Sequence, residues 1–249
     1  MRNLRLEIEY EGTNYCGWQI QKSHQVSAEG GSAYGGTRSP GQESIQETIE
    51  KTLQKILQER IKLIASGRTD AGVHAFAQVA NFKTNSKIPL NKLQKALNGL
   101  LPQDISISKI EEASLDFHSR FQAKAKLYRY TILNRPYPSA FSRNTVYFYP
   151  YPLDVKVMQR EAGCLLGRHD FKSFCASGSS VKDTVRTIRR ISIKSRAPLI
   201  IIDIEANGFL YNMARSIAGT LIEIGRGRFG RGSLKRILKS GNRELCGPT

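Results

Sequence analysis

Asp70 lies in Gly67-Arg68-Thr69-Asp70-Ala71-Gly72-Val73-His74-Ala75, a glycine-punctuated loop that follows an apolar run over 61–65. A carboxylate with an ordinary pKa of about 3.9 is ionised at neutral pH and can serve as a nucleophile or as a charge stabiliser. Loops held on a rigid scaffold often carry function. An aspartate is also an ordinary turn residue that bonds its own backbone, and local context by itself favours that reading. Arg68, two residues earlier, is either a contact for an anion or a plain surface arginine. Tyr128 offers a ring for stacking, or for packing in a core. Arg215 falls among Met213, Ile217 and Leu221 at helical spacing, so it is either a charge in need of a partner or part of a solvated face.

These residues need elements to place them. Leu6 and Ile8 alternate with charged residues over 5–9, as in a half-buried strand, and a turn-rich stretch follows. Ser44-Ile45-Gln46-Glu47 is a capping box, and Ile45, Ile49, Leu53, Ile56 and Leu57 then recur at helical spacing. Strands are predicted over 61–65 and 77–82. A helix carrying Leu90, Leu93, Leu97 and Leu100 starts behind Pro89 and closes before Pro102. Ile105, Ile107 and Ile110 suggest another strand. In the second half, 126–133 reads as a strand with Tyr128 and Tyr130 on one face and Arg129 on the other. A Pro-rich stretch over 136–152 follows, then a helix with Val157, Met158, Ala162, Leu165 and Leu166 that ends at Gly167. Strands over 188–194 and 199–206 join around Pro198, and a helix runs from about Leu210 to Gly225.

This grammar is α+β: two similar lobes, each a mainly antiparallel sheet flanked by helices, with a basic cleft expected between them. We place the lobes at residues 1–115 and 116–249. The 249 residues carry 38 basic and 21 acidic side chains, a net charge of +17, which points to a polyanionic partner. The longest apolar run, Leu199-Ile200-Ile201-Ile202, is far short of the ~20 residues a membrane span needs, and no signal-peptide pattern opens the chain. Cys16, Cys164, Cys175 and Cys246 are scattered, and His24, His74, His118 and His169 form no metal-ligand pattern. The expected setting is soluble, reducing and cytoplasmic, with no metal and no cofactor. Basic residues recur from Lys182 to Arg196 and from Arg226 to Arg243; each run alone is ordinarily a solvated face, and together they suit RNA phosphates.

The string over 67–75 closely resembles the catalytic signature of the tRNA pseudouridine synthase A family. Other blocks resemble that family in the same order. They are Tyr10-Glu11-Gly12 with Gly17-Trp18-Gln19, Phe117-His118-Ser119-Arg120-Phe121, Lys126-Leu127-Tyr128-Arg129-Tyr130, His169-Asp170-Phe171-Lys172-Ser173-Phe174, and the run from Asn207 through Tyr211 to Arg215. The resemblance implies isomerisation of uridine to pseudouridine at positions 38, 39 and 40 of the tRNA anticodon arm, without a cofactor and by a homodimer. It makes Asp70 the nucleophile, Tyr128 the ring that stacks on the extruded uracil, Arg215 the ion-pair partner of Asp70, and Arg68 a candidate for base flipping or phosphate contact. His74 is read as structural. Three routes stay open for Asp70: attack at C1′, attack at C6, or elimination. On the residues alone, a non-catalytic RNA-binding protein and a histidine-based ribonuclease also stay open. Two departures from the family stand out: a Gly- and Ser-rich insert over 27–41, and an ending at Cys246-Gly247-Pro248-Thr249 where a final apolar strand is expected.

Overall fold

The alternation read in the first ten residues becomes a central strand, β1 (Arg2–Tyr10), with Leu4, Leu6, Ile8 and Tyr10 buried on one face. The computed structural model describes residues 1–20, 42–178 and 181–249, so the insert over 27–41 lies outside the described residues. The chain divides into two compact units, Met1–Ala123 and Lys124–Thr249.

The first unit continues with α1 (Ile45–Leu57), β2 (Ile64–Ala65), β3 (Ala75–Thr84), α2 (Leu90–Leu100) and β4 (Ile105–Ala113). Its antiparallel sheet has the order β2-β3-β1-β4. The Ser44 hydroxyl accepts the Glu47 amide at 3.1 Å, satisfying one of the amides that a helix start leaves over. Ile45, Ile49 and Leu53 of α1, with Leu93 and Leu97 of α2, then close a core over β1. The odd spacing Ile105, Ile107, Ile110 has a physical cause. Glu7 faces Lys109 and Ile8 faces Ile107, so Ser108 is an extra residue, and this bulge returns Ile110 to the core face opposite Leu6. The strand expected over 61–65 is paired only at Ile64–Ala65, although Ile61 and Leu63 are buried.

The second unit contains β5 (Lys126–Asn134), β6 (Tyr147–Tyr149), α3 (Val155–Ala162), β7 (Gly167–Asp170), β8 (Val185–Arg196), β9 (Leu199–Ala206), α4 (Met213–Gly225) and α5 (Ser233–Ser240). The sheet order is β6-β5-β9-β8-β7, antiparallel except for the β5–β6 pair. Ile200, Ile202, Ile204 and Ala206 of β9 face a core shared with Met213, Ile217 and Leu221 of α4. The helix expected to reach Gly167 stops at Ala162 and tightens into a 3-10 turn at Gly163–Leu165; Gly167, with φ +95°, begins β7 instead. The last long helix starts at Met213 rather than Leu210, because Asn212 adopts the left-handed conformation at its N-cap. Sequence reasoning missed β6 inside the Pro-rich stretch, the four-residue β7, and α5 inside the basic run.

On the face of the second sheet opposite Tyr128 and Tyr130, Arg129 sits directly across from Asp203. Its Nε donates to Oδ1 at 2.7 Å and its Nη2 to Oδ2 at 2.9 Å. This two-pronged bond holds the Asp203 carboxyl below the usual carboxylate range, against the opposing effect of burial. A carboxyl depressed in the folded state adds stability that is present above its ordinary pKa of about 3.9 and is lost as pH falls through the lower folded value. Melting curves recorded by circular dichroism between neutral pH and about pH 2.5 should therefore fall less steeply on the acid side for Asp203→Asn than for the unaltered chain. Parallel curves would remove Asp203 from the acid transition.

Candidate active site

The Asp70 loop leaves β2 and is held along its length. Ser66 donates its amide to the Val79 carbonyl at 2.8 Å and its hydroxyl to Gln78 Oε1 at 2.7 Å, while Gln78 Nε2 donates to the Gly67 carbonyl at 2.6 Å. The Thr69 carbonyl accepts the Trp18 amide at 3.0 Å, and its hydroxyl lies 2.8 Å from that of Tyr10, a residue only 2 % exposed. Beyond Asp70, the Val73 amide closes a turn onto the Asp70 carbonyl at 3.2 Å, with Gly72 at φ +76°. His74 Nδ1 accepts the Gly12 amide at 3.0 Å.

Two glycines on the facing segment make this approach possible. A Cβ on Gly12 would stand 2.1 Å from the Val73 carbonyl oxygen. At Gly17 it would stand 2.6 Å from the Thr69 carbonyl oxygen, and φ is +100° there. The facing segment is itself braced. Tyr15 donates its hydroxyl to Asp104 at 2.5 Å, and burial, reinforced by that acidic partner, raises its phenol pKa. The structure thus brings Tyr10-Glu11-Gly12, Gly17-Trp18 and 67–74 into one assembly, with Asp70 and Arg68 both exposed on it.

In the second unit, Tyr128 is half-buried on β5, its ring 4.5 Å from that of Phe209 at an interplanar angle of 56°. Tyr130 lies two residues along the same face. Burial pushes its phenol up, the neighbouring Tyr147 adds to this, and the charge of Arg215 pulls the other way. Arg215 is the third residue of α4 and exposed, in contrast to the mid-helix position expected; Met213, Ile217 and Leu221 are fully buried beside it. Burial therefore does not demand a partner for it. A cation in a first helical turn is disfavoured by the helix dipole, so helix stability does not account for Arg215 either.

Beyond His118 in the ribonuclease alternative, sequence reasoning gave no individual role to the 117–121 block. Asn81 Oδ1 accepts the Ser119 amide and hydroxyl at 2.9 and 2.8 Å, and both residues are buried. This tether leaves His118 and Phe121 stacked at 4.2 Å, with the Arg120 guanidinium 5.8 Å from the exposed Phe121 ring. The basic runs divide in a similar way. Arg226 and Arg228 both reach the buried Glu223 at 3.2 Å, and Arg190 pairs with Glu205 at 3.3 Å. Lys235, Arg236 and Lys239 instead form the exposed face of α5, whose Leu234, Ile237 and Leu238 are buried. Among the described residues, no three His, Cys, Asp or Glu side chains are grouped to hold a metal ion, and no helix is long and apolar enough to cross a membrane.

A match to the tRNA pseudouridine synthase family covers residues 8–122 and 162–249, which include the clamped loop and α4. The chain belongs to that family. It is 45 % identical over 249 residues to tRNA pseudouridine synthase A of Caldicellulosiruptor bescii, covering all of this chain and 95 % of the relative. It is 43 % identical over the same span, with the same coverage, to tRNA pseudouridine synthase A of Acetivibrio thermocellus. A third relative, tRNA pseudouridine synthase A 2 of Clostridium perfringens, is 44 % identical over 247 residues, or 99 % of this chain and 94 % of its own. The family match passes over 123–161, where Tyr128 lies, whereas these three relatives align across that stretch.

Within this synthase Gly72 of the loop and Gly12 of the facing segment should not be equivalent. A methyl group at Gly12 meets backbone, whereas one at Gly72 meets nothing within 4 Å and only a left-handed φ. We expect Gly72→Ala to cost about 1–2 kcal/mol of local stability, the penalty of that backbone region. Gly12→Ala should cost more and displace the loop. Thermal shift together with amide exchange over 67–74 measures both. Equal effects would show that the close approach of Gly12 to Val73 is not what holds the loop.

Proposed function

We propose that the chain converts uridine to pseudouridine at positions 38, 39 and 40 of the tRNA anticodon arm, with Asp70 as nucleophile. Membership of the tRNA pseudouridine synthase family makes it an intramolecular isomerase acting on tRNA uridine. The observation that carries the finer reading is the Asp70 loop. Its ends are fixed at Thr69 and His74 by bonds to buried or backbone groups, while Asp70 itself is exposed. A nucleophile needs that combination of a defined position and an open approach.

The reaction breaks the C1′–N1 bond, turns the uracil, joins C1′ to C5, moves the C5 proton off and returns a proton to N1. Atoms and charge balance without an oxidant. An ionised carboxylate suits the first half of this sequence, in which the sugar carbon becomes electron-poor. Tyr128, supported on one side by Phe209, stacks on the extruded base, an interaction ordinarily worth about 1–3 kcal/mol. Arg215 pairs with the Asp70 carboxylate, which gives its exposed charge a purpose that α4 does not. Arg68 assists extrusion, whose cost is a few kcal/mol. The α5 cations contact phosphates, and Arg190, Arg226 and Arg228 contribute less because acidic side chains already engage them. On the same basis we propose a cytoplasmic homodimer.

Purified protein incubated with a tRNA bearing uridines in the anticodon arm should yield pseudouridine at positions 38–40. Asp70→Asn should bring product to background while leaving tRNA binding intact and steeply salt-dependent. Product surviving in Asp70→Asn would remove it as nucleophile. Binding without product under any condition would mark a non-catalytic RNA-binding protein, and RNA fragments lost in His118→Ala would mark a ribonuclease.

A further inference from the structure

Two groups compete for His74 Nδ1. The Gly12 amide points at it from 3.0 Å, and Glu11 Oε1 lies 3.5 Å away. A directed amide at 3.0 Å is a hydrogen bond, whereas 3.5 Å to the carboxylate is beyond ordinary hydrogen-bond length. Glu11 also already takes the Thr13 hydroxyl. An acceptor Nδ1 carries no proton, so the neutral ring holds its proton on Nε2.

The position of this bond matters more than its strength. Asp70 is followed by a tight turn to Val73 that contains Gly72, the most permissive residue for a backbone to swing about. Upstream, Thr69 is held twice, through its carbonyl and its hydroxyl. Downstream, the Val73 amide turns back onto Asp70 and its carbonyl passes close to Gly12; the next residue, His74, takes a directed bond from Gly12, and Ala75 opens β3 opposite Tyr10. The imidazole therefore ties the stretch between the Gly72 turn and the start of β3, across from the end fixed by Thr69.

We propose that His74 is a positioning residue: its Nδ1, as acceptor of the Gly12 amide, fixes the downstream end of the loop and so the placement of the Asp70 carboxylate. This rests on the reading of Asp70 as nucleophile. Two amide variants separate the role from mere bulk. In His74→Asn, Oδ1 stands where Nδ1 stood and can accept the Gly12 amide. In His74→Gln, the oxygen is moved one bond outward, toward the place of Nε2, and that bond is lost.

Steady-state pseudouridine formation should give a kcat for His74→Asn within a few-fold of the unaltered enzyme. His74→Gln should lose on the order of 100-fold in kcat, the scale of an ångström-level misplacement, with KM for tRNA unchanged. Amide exchange at Gly12 should be protected in the unaltered and Asn proteins and fast in the Gln protein. Imidazole nitrogen shifts of the unaltered protein should report an unprotonated Nδ1, a readout that requires no variant to fold. Equal kcat in the two variants, a loss confined to KM, or a protonated Nδ1 would each overturn the proposal. Asp70→Asn is measured beside them. If it retains product, the nucleophile reading falls, and Gly12 exchange with the nitrogen shifts still decides whether the latch exists.

Discussion

The backbone of one loop stands where a side chain at Gly12 would be, and the arrangement of the first unit follows from that contact. β1 is bonded on both sides, to β3 and to β4, and it ends at the buried Tyr10. The chain leaving β1 meets the Asp70 loop through Gly12 and Gly17 before it reaches α1. The Ile45 amide then donates to the Gly17 carbonyl and the Gln46 amide to that of Trp18, so the start of α1 is tied to the same segment. A position set in the core is in this way handed to an exposed carboxylate through backbone bonds such as Trp18 to Thr69 and through short side-chain bonds from Tyr10 to Thr69 and from the Gly12 amide to His74.

That dependence also explains what the sequence made legible. The helices α1 and α2 and most strands follow from apolar spacing and from caps, which are local signals. The bulge at Ser108 left a local trace in the broken alternation of Ile105, Ile107 and Ile110. By contrast, nothing in the spacing around Asp70 says that Thr69 will bond Tyr10 or that His74 will bond Gly12, residues far apart in the chain. The family resemblance pointed to both blocks without saying why they go together. Contact is the reason.

The misreadings have similar causes. Leu210 fits a helical repeat with Met213 and Ile217, which starts the expected helix one turn early and puts Arg215 in its middle rather than its first turn. The left-handed backbone of Asn212 breaks that repeat, and no periodicity of apolar residues registers it. Helix α5 was hidden because its three cations sit in a longer basic run and match in number the three apolar residues that bury it, and β6 because prolines surround a strand of only three residues. In each case tertiary burial decided where local composition was silent.

The charge of +17 separates into two populations once pairs are assigned. Acidic side chains in the second unit are spent on internal work: Glu223 takes two arginines, Asp203 takes one, and Glu161 accepts the Gly232 amide ahead of α5. Such pairs neutralise local field and leave little for a ligand beyond their own partners. The cations on α5 are different, because helical periodicity turns them outward together while the apolar residues turn in. Charges that share a face add their fields within a Debye length of about 8–10 Å, whereas scattered ones do not. A polyanion is therefore drawn to particular faces of the protein rather than to its net charge. The attraction carries little sequence information, so on the proposed reading of Asp70 discrimination among RNAs falls to shape and to whether a base can reach the clamped loop.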